Sequence, residues 1–272
     1  MIIKIIKGKI EQFIRLLFIN FLTPYNGSII IVEYPKSGGT WLGQLVSGYY
    51  KIPFPRNKLP KVKKSLFHGH YLPKYNIKKN KKVILLVRDG RDVMVSLYHH
   101  QLLWNDKNKL HPKDVIYHRK KVNFTNFENV KSNMYKFIEY TFKNRPSKLR
   151  HFTYMGNWVE FNEKWIESMN DKTQNIYLIK YEDILSNTKE TLEKLLKTFF
   201  KEEVINEKHL EDVIYKFSFK NQTNRDQGEE KKGSFLRKGI AGDWKNYFDE
   251  EAEKKFLKYA GNTLLKLGYI EK

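Results

Sequence analysis

The chain has 272 residues, 40% of them hydrophobic and 15% aromatic, which excludes a peptide or a disordered tail and, at roughly 150 residues per domain, allows one large domain or two modest ones. Lys and Arg number 51 against 30 Asp and Glu, a formal charge of +21, so the candidate partners are a polyanion, an acidic membrane surface or a multiply phosphorylated ligand, although lysines scattered over a solvated surface would give the same total. The absence of cysteine excludes disulfides, thiolate catalysis and Cys-ligated metals.

Residues 1–22 alternate apolar and basic side chains, from Ile2, Ile3 and Lys4 to Arg15, Leu16, Leu17 and Phe18. The uncharged stretch from Leu16 is too short to span a bilayer, and no small-residue cleavage site follows it. The segment reads as an amphipathic helix that packs on the core or, as the second choice, lies on a membrane surface. No repeat, low-complexity run or Pro/Gly-rich linker divides residues 23–272, which read as a single domain. Ser28 to Glu33 is a β-branched run suited to a strand buried on both faces, followed by a loop and a helix. Phe67 and His68 lie near the end of an expected second strand. Val83 to Val87 is a further strand, and Val93, Val95, Leu97 and Leu102 supply a buried face to a helix over Asp89 to Leu103. Ile176 to Ile179 is another strand, after which Asn187 and Glu190 form a capping box for a helix over Thr188 to Phe200. Helices are also predicted within Phe127 to Phe142, Asn157 to Met169 and Ile205 to Phe217, and after Asp249. The polar segment from Ser218 to Asp243 reads as a lid or binding loop. Apolar strands each followed by a helix imply an α/β fold with a central parallel sheet flanked by helices.

The stretch Tyr34-Pro35-Lys36-Ser37-Gly38-Gly39-Thr40-Trp41 lies between the first strand and its helix, where α/β proteins bind phosphates. Gly38 and Gly39 let backbone N–H groups approach an anion, Thr40 stands at the positive end of the helix dipole, and Lys36 and Ser37 add a charge and a hydroxyl. It is not a Walker A loop, in which the Lys follows the glycines. A Gly-Gly turn before a helix is also an ordinary structural loop.

YPKSGGTWL resembles the 5′-phosphosulfate loop, usually YPKSGTTWL, of sulfotransferases that use 3′-phosphoadenosine 5′-phosphosulfate (PAPS). Two further segments resemble that family in order: Arg88 to Ser96 is similar to its 3′-phosphate motif, and Arg237 to Lys245 to its RKGxxGDWK motif. The resemblance implies a P-loop-like three-layer fold and a donor site for PAPS, with 3′-phosphoadenosine 5′-phosphate (PAP) as product. It assigns the 3′-phosphate to Arg88, Ser96, Arg237, Lys238 and Gly239. It points Trp41 and Phe219 to the two faces of adenine and Tyr181 to its edge. Lys36 is implied as the group that stabilises the leaving phosphate, and the base is implied to be the histidine before a Leu-Pro step, here His70 of Phe67-His68-Gly69-His70-Tyr71-Leu72-Pro73. His68 stands where the family often has Lys, and is read as helping to neutralise the transferring group or as having no role. His99 and His100 read as acceptor-side or structural. His-x-His also suggests metal binding, but no carboxylate lies at convincing ligand spacing beside it, so no metal is expected.

Gly39 stands where the family usually has Thr, and backbone N–H groups are expected to compensate for the lost hydroxyl. The family's KxxxTVxxxE dimerisation segment has no match after Lys245, which leaves the oligomeric state open. The implied reaction is transfer of a sulfuryl group to a hydroxyl, or less favourably an amine, of a phenol, steroid, sugar or glycolipid. The expected setting is cytoplasmic, with peripheral membrane contact through residues 1–22 as an option, and without nucleic acid. A P-loop small-molecule kinase and a noncatalytic nucleic-acid- or membrane-binding module are the alternatives.

Overall fold

The structure, a computed structural model, describes residues 10–11, 13–55, 63–75, 81–110, 112–144, 155–171 and 173–271. The first part of the N-terminal segment, residues 1–9, lies outside the described residues. The chain folds into two compact units: Met1–Val87 with Pro146–Phe217, and Arg88–Arg145 with Ser218–Lys272.

The first unit holds a four-stranded sheet of β1 (Ile29–Glu33), β2 (Leu66–Gly69), β3 (Lys82–Val87) and β4 (Asn175–Lys180), in the order β2-β1-β3-β4. All pairs are parallel, with Ile31 beside both His68 and Ile84, and Leu86 beside Ile179. Every residue of β1 and all but the first of β3 are buried, which is why these strands read as unbroken apolar runs. Alternate residues Ile29, Ile31, Ile84 and Leu86 join Leu42 and Leu45 of the helix Gly39–Tyr49 and Leu195 and Leu210 in one core cluster; their neighbours Ile30, Val32, Val83 and Leu85 are also buried. A short helix, Tyr181–Ser186, follows β4 directly, and Asn187 opens the next, Thr188–Lys194, as expected: its side chain accepts from Glu190 N–H, and its amide donates to Glu190 Oε2 at 2.6 Å. The α-helix ends at Lys194 and continues to Phe200 as a wider π turn, which periodicity does not reveal.

The described part of the N-terminal segment is helical, closing with Thr23–Asn26. It buries Ile19, Asn20 and Thr23. Asn20 donates to the Tyr75 carbonyl at 2.9 Å and accepts from the buried Lys81 ammonium at 2.8 Å. Ile10, Phe13, Leu17 and Phe21, spaced to share a face, are exposed. Among the described residues no helix is long and apolar enough to cross a membrane.

The second unit is helical. Gly90–Gln101 is capped by Asp89, whose carboxylate accepts from Arg91 N–H and pairs with the Arg91 guanidinium at 2.7 Å. Arg91 in turn stacks 3.9 Å from the Trp244 ring. Val130–Lys143 and Glu250–Lys266 pack through Phe142 against Phe256 and Tyr259. Pro112–Arg119 is a helix the sequence reading leaves out; only Val115 is buried there, so it carries no apolar stripe to detect. The segment from Ser218 to Asp243 begins not as a loop but as a short helix, Phe219–Thr223, because Ser218 Oγ caps it at Asn221 N–H. The rest is tied internally by Arg225, which donates to the Glu229, Leu236 and Arg237 carbonyls.

Candidate active site

In the first unit, β1 delivers its last residue, Glu33, to the start of the Tyr34–Trp41 loop. Lys36 lies at φ +79° and Gly38 at φ +103°. A lysine there costs about 1 kcal/mol or more, a strain that persists only where the surroundings impose it. Gly38 has no alternative, since a Cβ would also lie 2.6 Å from the Tyr181 ring. The turn is closed by Ser37 N–H to the Tyr34 carbonyl and Trp41 N–H to the Gly38 carbonyl, which points the start of the helix Gly39–Tyr49 at the loop. Ser37 is 1% exposed, and its Oγ is buried without a hydrogen-bond partner. A buried hydroxyl in that state needs a partner, which a water or a bound anion would supply. Trp41 donates from Nε1 to the Phe217 carbonyl at 2.9 Å and meets Tyr181 edge-on at 5.9 Å. Gly38, Trp41 and Tyr181 are thus brought together.

His68 and His70 leave the end of β2 next to this loop. His70 Nδ1 lies 2.9 Å from the Glu33 carbonyl. A carbonyl only accepts, so Nδ1 carries the proton and Nε2 keeps its lone pair. Burial, then the charge of His68 and more weakly that of Lys36, push the His70 imidazole down to about 4, so it is neutral at pH 7. His68 Nε2 donates to Glu33 Oε1 at 2.9 Å, and the other oxygen of Glu33 accepts from Gly39 N–H. Burial alone would raise the Glu33 carboxyl; the His68 hydrogen bond and charge, with His70 and Gly39 N–H, hold it below the usual carboxylate range.

Glu33 is the residue sequence reasoning missed, and it corrects one expectation: a carboxylate does stand beside His-x-His, supplied by the end of the neighbouring strand. Gly39 N–H is bonded to Glu33 and so is not among the backbone N–H groups open to compensate for the missing Thr hydroxyl. The Gly39 substitution then has a cause: a Cβ at that position would lie 2.6 Å from both Glu33 Cδ and His68 Nε2. We expect Gly39→Thr, which restores the usual family residue, to destabilise the protein by about 1–3 kcal/mol through overpacking. The addition of His68→Ala should recover part of that loss, and strictly additive effects in thermal unfolding would contradict this packing account.

The second unit gathers the remaining predicted residues. Arg88 donates to the Ile240 carbonyl at 3.2 Å and lies 3.9 Å from Asp92. Asp92 accepts from Gly242 N–H at 2.7 Å and Trp244 N–H at 2.9 Å, which hangs the Arg237–Lys245 segment on the helix that carries Ser96. Burial holds the Asp92 carboxyl above its usual range. Arg237 pairs with Glu230 at 2.8 Å and with Asp243, and Lys238 with Asp243 at 2.8 Å. Both cations are therefore positioned by carboxylates. Gly239, at φ +66°, lies under the Phe219 ring, which a Cβ would meet at 2.5 Å. His99 lies 5.7 Å from the Tyr247 ring, with its Nε2 buried and unbonded, and burial together with the Arg237 charge pushes its imidazole down to about 4.

The sequence model of the family described as "Sulfotransferase domain" matches residues 53–268. Sulfotransferase 1B1 of Canis lupus familiaris is 27% identical over 269 residues, which is 84% of this chain and 80% of that protein. Among solved structures, the fold is similar to mouse sulfotransferase SULT7A1 complexed with PAP, with a TM-score of 0.57 and 20% identity over 87% of this chain and 84% of that one. It is also similar to retinol dehydratase in a complex with retinol and PAP, with a TM-score of 0.59 and 19% identity over 91% and 84%.

Proposed function

The chain belongs to the sulfotransferase family, and from that premise we propose that it moves the sulfuryl group of PAPS to a hydroxyl acceptor by in-line displacement, releasing PAP. The observation that carries this reading is the joining of the anion loop to a neutral histidine through one residue: Glu33 bonds Gly39 N–H with its side chain and His70 Nδ1 with its carbonyl.

The residues suit the donor, since the buried Ser37 Oγ is without a partner and the loop that carries it leads directly into the helix Gly39–Tyr49. When bound, PAPS supplies a sulfuryl group on a phosphate leaving group. Ser37, Thr40 and the loop N–H groups hold the 5′ end, with Trp41 stacked on adenine and Tyr181 at its edge. Lys36 places a positive charge where the departing phosphate gains a negative one. His70 takes the acceptor proton on Nε2, held in that tautomer by the Glu33 carbonyl. Within the second unit, the family resemblance assigns the 3′-phosphate to Arg88, Ser96, Arg237, Lys238 and Gly239 and an aromatic contact with the base to Phe219. Retinol dehydratase, solved with retinol, supports an apolar alcohol as the first acceptor class to try.

Incubation with PAPS and single phenols, steroids, apolar alcohols and amines is expected to form PAP only when an acceptor is present, faster with hydroxyls, and without added metal. PAP formation that no acceptor in the panel accelerates, or acceptor modification that proceeds only with Mg-ATP and releases ADP, would contradict the proposal.

A further inference from the structure

The Glu33, His68 and His70 cluster has a capacity that transfer chemistry does not need. One ligand-capable atom from each of the three residues lies within 4.8 Å of the others. Two nitrogens and one carboxylate oxygen are the donor set of many zinc sites, in which ligands sit about 2.0–2.2 Å from the ion. The outer contacts also match what a metal site requires. His70 Nδ1 is bonded to the Glu33 carbonyl, which fixes the tautomer and presents Nε2 as a lone pair. Glu33 Oε2 is held by Gly39 N–H, which leaves Oε1 turned toward His68 Nε2 at 2.9 Å. Such backbone contacts orient first ligands in metal sites. His68 becomes a ligand by moving its Nε2 proton to Nδ1 or to solvent, with no change in oxidation state. The absent Cβ at Gly39, which would lie 2.6 Å from His68 Nε2 and Glu33 Cδ, is what lets these two side chains pack against each other there.

We propose that Glu33, His68 and His70 bind a divalent transition-metal ion of the zinc class, and that the bound ion switches transfer off by occupying the lone pair of His70. The inhibitory half rests on the role of His70 as base given above; the binding half does not. A cation binding where this loop meets β2 makes the protein metal-sensitive without making it metal-dependent.

The test is calorimetric titration of the full chain with Zn2+ alone, without nucleotide, on the wild type, Glu33→Gln and His68→Ala, with His118→Ala as a control for histidines elsewhere; turnover is measured in parallel against buffered free Zn2+. One zinc per chain is expected, weakened by roughly tenfold or more in Glu33→Gln and His68→Ala and unchanged in His118→Ala, with turnover of the wild type falling as the site fills. Thermal unfolding of each variant shows that it is folded, and Glu33→Gln, close to isosteric, serves if His68→Ala is not. Equal zinc affinity in the wild type and in folded Glu33→Gln or His68→Ala, or no binding, would overturn the site. Zinc bound at this site with turnover unchanged would keep the site and overturn both the inhibition and the role of His70.

Discussion

Replacing His70 with alanine is expected to lower kcat by about a thousandfold, the middle of the range for a positioned general base, while stabilisation by PAP stays within a few tenths of a kcal/mol of the wild type. The Glu33 carbonyl takes the proton-bearing nitrogen of His70 and leaves the other basic. Because burial first, and the charge of His68 second, push His70 down to about 4, the neutral base persists in mild acid. The kcat/KM of the wild type should be nearly flat from pH 7 to pH 6 and fall toward pH 4, whereas an unperturbed histidine near 6.5 would have lost about two-thirds of its pH 7 rate by pH 6. The same shift bears on stability. Between 6.5 and about 4 the unfolded chain binds a proton that the folded chain does not, so this contribution is fully present above 6.5 and is lost as the pH falls through that window. Near-normal turnover of His70→Ala would remove it as the base.

Lys36→Ala is expected to lower kcat by about a hundredfold to a thousandfold, as removal of a group that meets developing charge does, with a smaller loss of donor binding. Two effects must be separated here, because Lys36 is also strained at φ +79°. Lys36→Gly relieves the backbone while deleting the charge, so it should be more stable than the wild type by about 0.5–1 kcal/mol yet as impaired as Lys36→Ala. Recovery of activity in Lys36→Gly would show that the lysine acts through loop shape. A Lys36→Arg variant that restored full activity would show that any nearby cation suffices.

Which parts of this molecule the sequence discloses follows from how local each determinant is. β1 and β3 are legible because both faces of each are buried, and the Asn187 cap because its partner is three residues away. Pro112–Arg119 is not legible because only Val115 is buried, nor is the π turn at Leu195–Phe200, whose apolar residues fit either helix type. The turn from Tyr34 to Trp41 is legible from its glycines and its place before a helix, and the anion site proposed there rests on the same two features. Glu33 is not legible, since its role depends on β1 and β2 pairing in parallel with Ile31 beside His68, a contact between distant segments. A signal did exist. His68 and His70 alternate at a strand end and so lie on the same side, and the Gly at position 39 in place of Thr reports that something else fills that space. The carboxylates beside Arg237 and Lys238 belong to the same class of surprise, although Asp243 stands within the motif itself.

Donor recognition is tested most directly by thermal unfolding of the wild type and Arg88→Ala with PAP, with ADP and with Mg-ATP. A ligand at a hundred times its dissociation constant adds about 2.7 kcal/mol, a rise of several degrees for a chain of this size. PAP is expected to raise the wild-type Tm selectively and ADP much less, and Arg88→Ala is expected to lose most of the difference, the guanidinium proposed for the 3′-phosphate being gone. Equal or greater stabilisation by Mg-ATP, or no response to PAP, would contradict PAPS as the donor.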